Sequence, residues 1–209
     1  MWGWVANALF HEFGHAAVGW ATGHLSVPTI NPFTGHAFAH IGVRIPLAPW
    51  LIWAAIIVTT VRLLRAQAPR WIVVGAILYP ALAWWPFLFE TVILAGGHLG
   101  ELAFAAWFLW RARLGINREE DWQRPLYGVL GAYLVGSNAI LGFGLLVSPR
   151  MRGWYLADNQ GMNDLIRLAR DVWGTGLGLP AFLLGLIAIL TPVITLLLAQ
   201  SAAPQRSPD

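Results

Sequence analysis

The feature that most constrains this chain is a series of apolar runs, most of them about twenty residues long. Hydrophobic residues make up 57% of the 209 residues, and charged residues make up only 11%. A helix of about twenty apolar residues crosses the hydrocarbon of a bilayer with its own backbone hydrogen bonds satisfied. The runs therefore predict an all-α, polytopic transmembrane helix bundle in contact with membrane lipid. We expect an integral, multi-pass protein of a prokaryotic-type cell membrane.

The runs predict about six spans, one of which belongs to a broken or kinked hairpin. They cover residues 2–22, 45–64, 71–89, 98–110, 125–147 and 177–199. The run 98–110 is too short to cross alone as a straight helix, and Pro80 and Pro86 interrupt the run before it, so 71–110 can form a broken hairpin. We expect a single membrane domain over residues 1–199 and a disordered C-terminal tail over 200–209, which is rich in Ser, Ala and Pro.

The charged residues exclude several classes of function. All 13 basic residues are arginines, and all but the one in the C-terminal tail lie in or beside the loops between runs, which is typical of residues that orient a membrane protein. They form no clustered patch, so nucleic acid is not an expected partner. The chain has no cysteine, which excludes disulfides, thiolate nucleophiles and Cys-ligated metals. Any metal must therefore be bound by His, Asp or Glu.

An HExxH motif lies inside the first apolar run, at residues 11–15. Residues four apart share a helix face, so His11 and His15 can bind one metal ion, and Glu12 can act as the general base on a water beside it. Ionisable residues inside a membrane helix are costly and usually line a functional site. The motif predicts the first half of a hydrolytic zinc site, and the alternative is a chance match with histidines satisfied in a protein core.

A second polar cluster interrupts the apolar sequence at residues 94–101, Leu-Ala-Gly-Gly-His-Leu-Gly-Glu. Together with HExxH it resembles the site-2 protease family of intramembrane zinc metalloproteases, in which an Asp from an LDGGH-like sequence on a later span completes the site. The residues that match the later motif are Gly96, Gly97, His98 and Leu99. Ala95 stands where the family has its ligand aspartate.

The resemblance implies a transmembrane helix bundle, a bound Zn²⁺, a water activated by the HExxH glutamate, and cleavage of transmembrane segments. The site residues that carry over by position are His11, Glu12 and His15.

Two imidazoles alone make an incomplete site, because hydrolytic zinc usually takes three protein ligands. His98 and Glu101 lie three residues apart, hence on one face of a helix, and either can supply the third ligand. The alternative is structural: His98 orients the helix start and Glu101 hydrogen-bonds a neighbouring helix. The apolar positions of residues 163–173 recur at helical spacing and predict an amphipathic helix at the membrane interface. The alternative is a lid or substrate-gating element that brings Asp158 or Asp164 to the metal.

The segment 26–40 contains prolines and a glycine and predicts a structured loop after the first helix. Its histidines, His36 and His40, are interpreted as solvated or interfacial residues and not as ligands of a second metal.

These patterns lead to one main hypothesis and two alternatives. The main hypothesis is an intramembrane zinc metalloprotease that hydrolyses peptide bonds of membrane-associated substrates. Because Ala95 removes a ligand, the first alternative is a catalytically inactive protease-like subunit with a binding or assembly role in a larger membrane complex. The second is a transporter that uses intramembrane His and Glu as a metal or proton relay. The expected partner is accordingly a transmembrane protein, either substrate or partner subunit.

Overall fold

The computed structural model describes residues 2–31, 33, 36–65, 78–80, 82–114, 122–158 and 163–202. The architecture is all-α with one small two-stranded sheet. The elements are α1 (Trp2–Ala21), β1 (His24–Asn31), β2 (His36–Arg44), α2 (Ala48–Arg65), α3 (Pro86–Leu114), α4 (Gln123–Val147), α5 (Pro149–Ala157), α6 (Asp164–Arg167, continued by a π-helical stretch Leu168–Trp173) and α7 (Gly178–Ala202). The chain divides into two compact units, Met1–Gly97 and His98–Asp209, and the boundary falls inside α3.

The first unit is built around α1 and the hairpin that follows it. Gly23 ends α1 with a φ of 84°, a backbone conformation that glycine adopts without strain. β1 and β2 then pair antiparallel and pack on α1. The Trp20 indole NH donates a 2.7 Å hydrogen bond to the Ser26 carbonyl, and the Tyr79 hydroxyl donates one of the same length to the Ala21 carbonyl. These bonds fix the end of α1 against its neighbours.

The second unit is a helical bundle with its own apolar core. α4 packs along α7, and the two backbones lie close together at Gly142, where an added Cβ would lie 2.5 Å from the Gly185 backbone nitrogen. A cluster of buried side chains from α3 to α7 forms the core: Leu102, Leu145, Tyr155, Leu165, Ile166, Ala181, Leu184 and Ala188. Ser148 caps α5 by accepting from the Met151 backbone NH.

The loop predicted over residues 26–40 is wrong, because most of that segment is a β-hairpin. Pro28 is tolerated since each strand of a two-stranded sheet has an outer edge, where a missing NH breaks no ladder bond. The turn is supported by the Asn31 side-chain oxygen, which accepts from the Phe33 backbone NH at 3.0 Å.

The broken hairpin is also wrong from Pro86 onward. α3 is one continuous helix of 29 residues, and Gly96 and Gly97 lie in its interior instead of at a break. Pro86 is the first residue of α3, where its missing NH costs no helical hydrogen bond. The remainder of the predicted third span, from 71 to 77, lies outside the described residues.

Three of the described helices are long and apolar enough to cross a membrane: α3, α4 and residues Gly178–Gln200 of α7. They indicate a membrane protein, but they are fewer than the six spans predicted. The helix α1 forms as predicted, yet its His and Glu residues lower its hydropathy, and the apolar part of α2 is shorter, Ala48–Arg62. The predicted helix over 163–173 is present and buries Leu165, Ile166, Leu168 and Ala169 on one side. The helix α7 continues to Ala202, and residues 203–209 lie outside the described part.

Candidate metal centre

The HExxH residues lie in the middle of α1, in the first unit. His15 and Glu12 are buried and His11 is partly buried, so all three polar groups are shielded within an apolar helix. The two imidazole rings approach edge to face with 4.8 Å between centroids, which is the close approach that their spacing of four residues predicts. A buried pair of imidazoles with a carboxylate beside it has the composition of a zinc hydrolase half-site.

A hydrogen bond at Nδ1 fixes the orientation of the His15 ring and leaves the other ring nitrogen, Nε2, for a metal. Its Nδ1 lies 2.6 Å from the backbone carbonyl oxygen of Ile93 in α3. A carbonyl oxygen can only accept, so Nδ1 carries the proton and the lone pair of the neutral ring lies on Nε2. Metal-binding histidines are commonly held by this kind of hydrogen bond from the second ring nitrogen to a carbonyl. His15 is therefore prepared to bind a metal through Nε2.

Gly97 of α3 lies directly against the same nitrogens. A Cβ added to it would lie 2.4 Å from His11 Nε2 and 2.6 Å from His15 Nε2, closer than atoms can approach without a bond. Only a residue without a side chain leaves the space in front of both nitrogens open. The neighbouring Gly96 allows the backbones of α1 and α3 to approach, because a Cβ there would be 3.3 Å from the Gly14 carbonyl oxygen.

Ala95 is helical and partly buried in α3, and it brings no ligand atom to this region. The glycine pair of the second motif thus has a structural role beside HExxH, while the position of the family's aspartate cannot bind a metal.

His98 and Glu101 belong to the second unit, where they form a buried polar cluster with Asn138 of α4. Glu101 and Asn138 are each only 1% exposed, and His98 is 8% exposed. His98 Nδ1 lies 2.9 Å from Asn138 Oδ1 and 3.5 Å from Glu101 Oε2, and Asn138 Nδ2 donates to Glu101 Oε2 at 2.5 Å. The predicted pair therefore shares one helix face, as its spacing of three residues requires.

Asn138 is the residue of this cluster that sequence reasoning missed. It lies inside the apolar run 125–147 with no motif around it. The available signal was the presence of a lone amide in a membrane-spanning run, where a polar side chain is costly unless it has a partner.

The chemistry of these residues fits a borderline metal ion such as zinc. Among the described residues, His, Asp and Glu side chains form groups that are geometrically able to hold a metal ion, and His11 takes part in each of them. Imidazole nitrogen and carboxylate oxygen are ordinary zinc ligands. His36 and His40 belong to no such group in the described part of the chain; they are exposed residues of β2.

Comparison with protein-family models, with curated proteins and with solved structures finds no match to this chain.

Proposed function

We propose that this protein is an intramembrane zinc metalloprotease of the HExxH type, related in its site to the site-2 proteases. His11 and His15 hold the zinc through Nε2, and the residues that the sequence offers as the third ligand are His98 and Glu101. The observation that carries the proposal is the arrangement around Gly97: two histidine nitrogens face a position kept clear of side chain, and Ile93 holds His15 in the required tautomer.

The zinc would supply a Lewis acid that polarises the substrate carbonyl and raises the acidity of water. Glu12 lies one residue from His11 and is buried, and its carboxylate takes the proton of the attacking water and returns it to the leaving amine. Ile93 keeps the imidazole of His15 from rotating. The buried surroundings limit the access of bulk water to the reacting groups.

The β-hairpin favours a substrate that binds as an extended segment. A transmembrane helix hides its carbonyls in its own hydrogen bonds, so a protease must unwind it before attack. β1 begins three residues after α1 ends, and within the described residues the outer edges of β1 and β2 pair with no third strand. An extended segment can add to such an edge through main-chain hydrogen bonds. The proposed substrate is therefore a membrane-associated protein that is cleaved in an unwound segment.

The experiment that tests the proposal compares two Glu→Gln variants of the purified, zinc-loaded protein in lipid nanodiscs. Cleavage of a set of labelled transmembrane peptides is measured together with zinc content. Glu12→Gln should lower the cleavage rate by about 10²–10⁴-fold and keep the zinc, because it removes the general base and no ligand. The matched control is Glu90→Gln, which changes an exposed carboxylate of α3 and should leave both quantities unchanged. Equal cleavage by wild type and Glu12→Gln would contradict the proposal.

A second candidate is a catalytically inactive protease-like subunit that binds a partner in a larger membrane complex. The observation that favours it is Ala95, which places a methyl group where the resembling family has a ligand. In this case the wild type would cleave no peptide, and Glu12→Gln would leave partner binding intact.

A further inference from the structure

Asn138 holds the polar cluster of the second unit together by three hydrogen bonds. Its Nδ2 donates to Glu101 Oε2 at 2.5 Å and to the Leu134 carbonyl oxygen at 2.9 Å, and its Oδ1 lies 2.9 Å from His98 Nδ1. These side chains belong to α3 and α4, two helices that are long and apolar enough to cross a membrane. All the hydrogen-bonding capacity of the Asn138 NH₂ group is therefore used by two acceptors.

The two acceptors determine which way the Asn138 amide points. The Leu134 carbonyl can only accept, so the NH₂ group must face it, and a flipped amide would set Oδ1 against two acceptor oxygens. The amide oxygen consequently faces His98. Because that oxygen accepts, the proton of a neutral His98 ring lies on Nδ1 and the ring's lone pair lies on Nε2.

We propose that Asn138 is a positioning residue that holds the His98 ring with its proton on Nδ1, so that Nε2 is the nitrogen that binds a metal ion. Glu101 is then the carboxyl end of a His98–Asn138–Glu101 relay and not itself a ligand. This inference rests on the proposed metal site. The arrangement is an amide-bridged form of the carboxylate–histidine–metal triad, in which a second ring nitrogen donates to an acidic partner.

The distances favour the relay over a direct bond between His98 and Glu101. His98 Nδ1 is closer to Asn138 Oδ1 than to Glu101 Oε2, at 2.9 Å against 3.5 Å. The interaction of His98 with the Glu101 carboxylate therefore runs mainly through the Asn138 amide. Asn138 is only 1% exposed in a helix that is long and apolar enough to cross a membrane, where an amide is costly unless it has a function.

Two measurements test the inference on the full-length protein. The first is the ¹⁵N NMR spectrum of metal-stripped protein with labelled histidine, which distinguishes an Nδ1–H from an Nε2–H imidazole. The second is zinc affinity, measured by competition with a chromophoric chelator. Asn138→Leu should remove the preference of His98 for Nδ1–H and weaken zinc binding by about 10–100-fold, the usual effect of losing an outer-shell partner.

Thr195→Val is the matched control, because Thr195 is a buried polar residue of α7 that donates to the Thr191 carbonyl in its own helix. It should change neither the tautomer nor the affinity. Unchanged zinc affinity in Asn138→Leu, or an Nε2–H imidazole at His98 in the wild type, would overturn the inference.

Glu101→Gln keeps the test decisive if Asn138→Leu does not fold. Its amide oxygen can still accept from Asn138, so zinc affinity should fall by less than about tenfold, whereas His98→Ala should lose a ligand and bind far more weakly. A loss in Glu101→Gln as large as in His98→Ala would make Glu101 the ligand and overturn the inference. Failure of the proposed function would give a different result. The wild type would bind no zinc, although His98 would still carry its proton on Nδ1. Asn138 would then orient His98, but the assignment of His98 as a metal ligand would be overturned.

Discussion

Replacing Gly97 with alanine would drive a methyl group between the metal-binding nitrogens of α1. The new Cβ would lie 2.4 Å from His11 Nε2 and 2.6 Å from His15 Nε2, while non-bonded carbon contacts settle at about 3.5 Å or more. The two rings must therefore retreat by about 1 Å. Metal–ligand distances tolerate only about 0.2 Å, so the two nitrogens can no longer meet at one ion.

The expected loss of zinc affinity is at least about 100-fold, which corresponds to about 2.7 kcal/mol. The effect on folding should be smaller. Overpacking costs about 1–3 kcal/mol, and the higher helix propensity of alanine over glycine offsets up to about 1 kcal/mol of that cost. The assay is chelator competition for zinc, accompanied by a thermal unfolding curve of the metal-free protein.

Gly136→Ala is the matched control for this experiment. It makes the same change inside α4, at a position where an added Cβ meets nothing within 4 Å. It should leave zinc affinity unchanged and slightly raise thermal stability. If Gly97→Ala bound zinc as tightly as Gly136→Ala, the argument that Gly97 clears the space for the metal would be refuted.

Two further predictions concern the second unit. Gly142→Ala should push α4 away from α7 and cost about 1–3 kcal/mol, measured by thermal unfolding in detergent, because the new Cβ would meet the Gly185 backbone at 2.5 Å; an unchanged unfolding temperature would contradict this close packing. Burial, followed by the nearby Asp164, raises the pKa of Tyr155 above its ordinary value of 10.0, so the phenol's contribution to stability is present below that pH and is lost as the pH rises beyond it. Tyr155→Phe should remove this alkaline loss, and equal falls in unfolding temperature for wild type and variant between about pH 9 and about pH 11 would contradict it.

The parts of the fold that the sequence predicts well are those with a strong apolar period. The runs 125–147 and 177–199 correspond closely to α4 and α7, since a long apolar run in a chain with few charges has few alternatives to a spanning helix. The sequence does not reveal the hairpin, because Pro28 and the turn-forming residues favour a loop, although a two-stranded sheet accepts proline at its edges.

The candidate site was predictable only where a motif carries it. HExxH places His11 and His15 together on any helix, and the structure shows that proximity. The role of Gly97 cannot be predicted, because a sequence shows that a residue is small but not what lies against it. Asn138 could not be placed beside His98, since 40 residues and a helix connection separate them and the pairing depends on tertiary packing.

Elemental analysis of the purified protein tests the central claim, the metal centre, most directly. Wild type, Glu12→Gln, His11→Ala and His98→Ala would be purified without chelators and their zinc content measured. We expect about one zinc per chain in the wild type and in Glu12→Gln, and little or none in the two histidine variants. A wild-type protein without bound metal, or zinc that persists in His11→Ala, would contradict it.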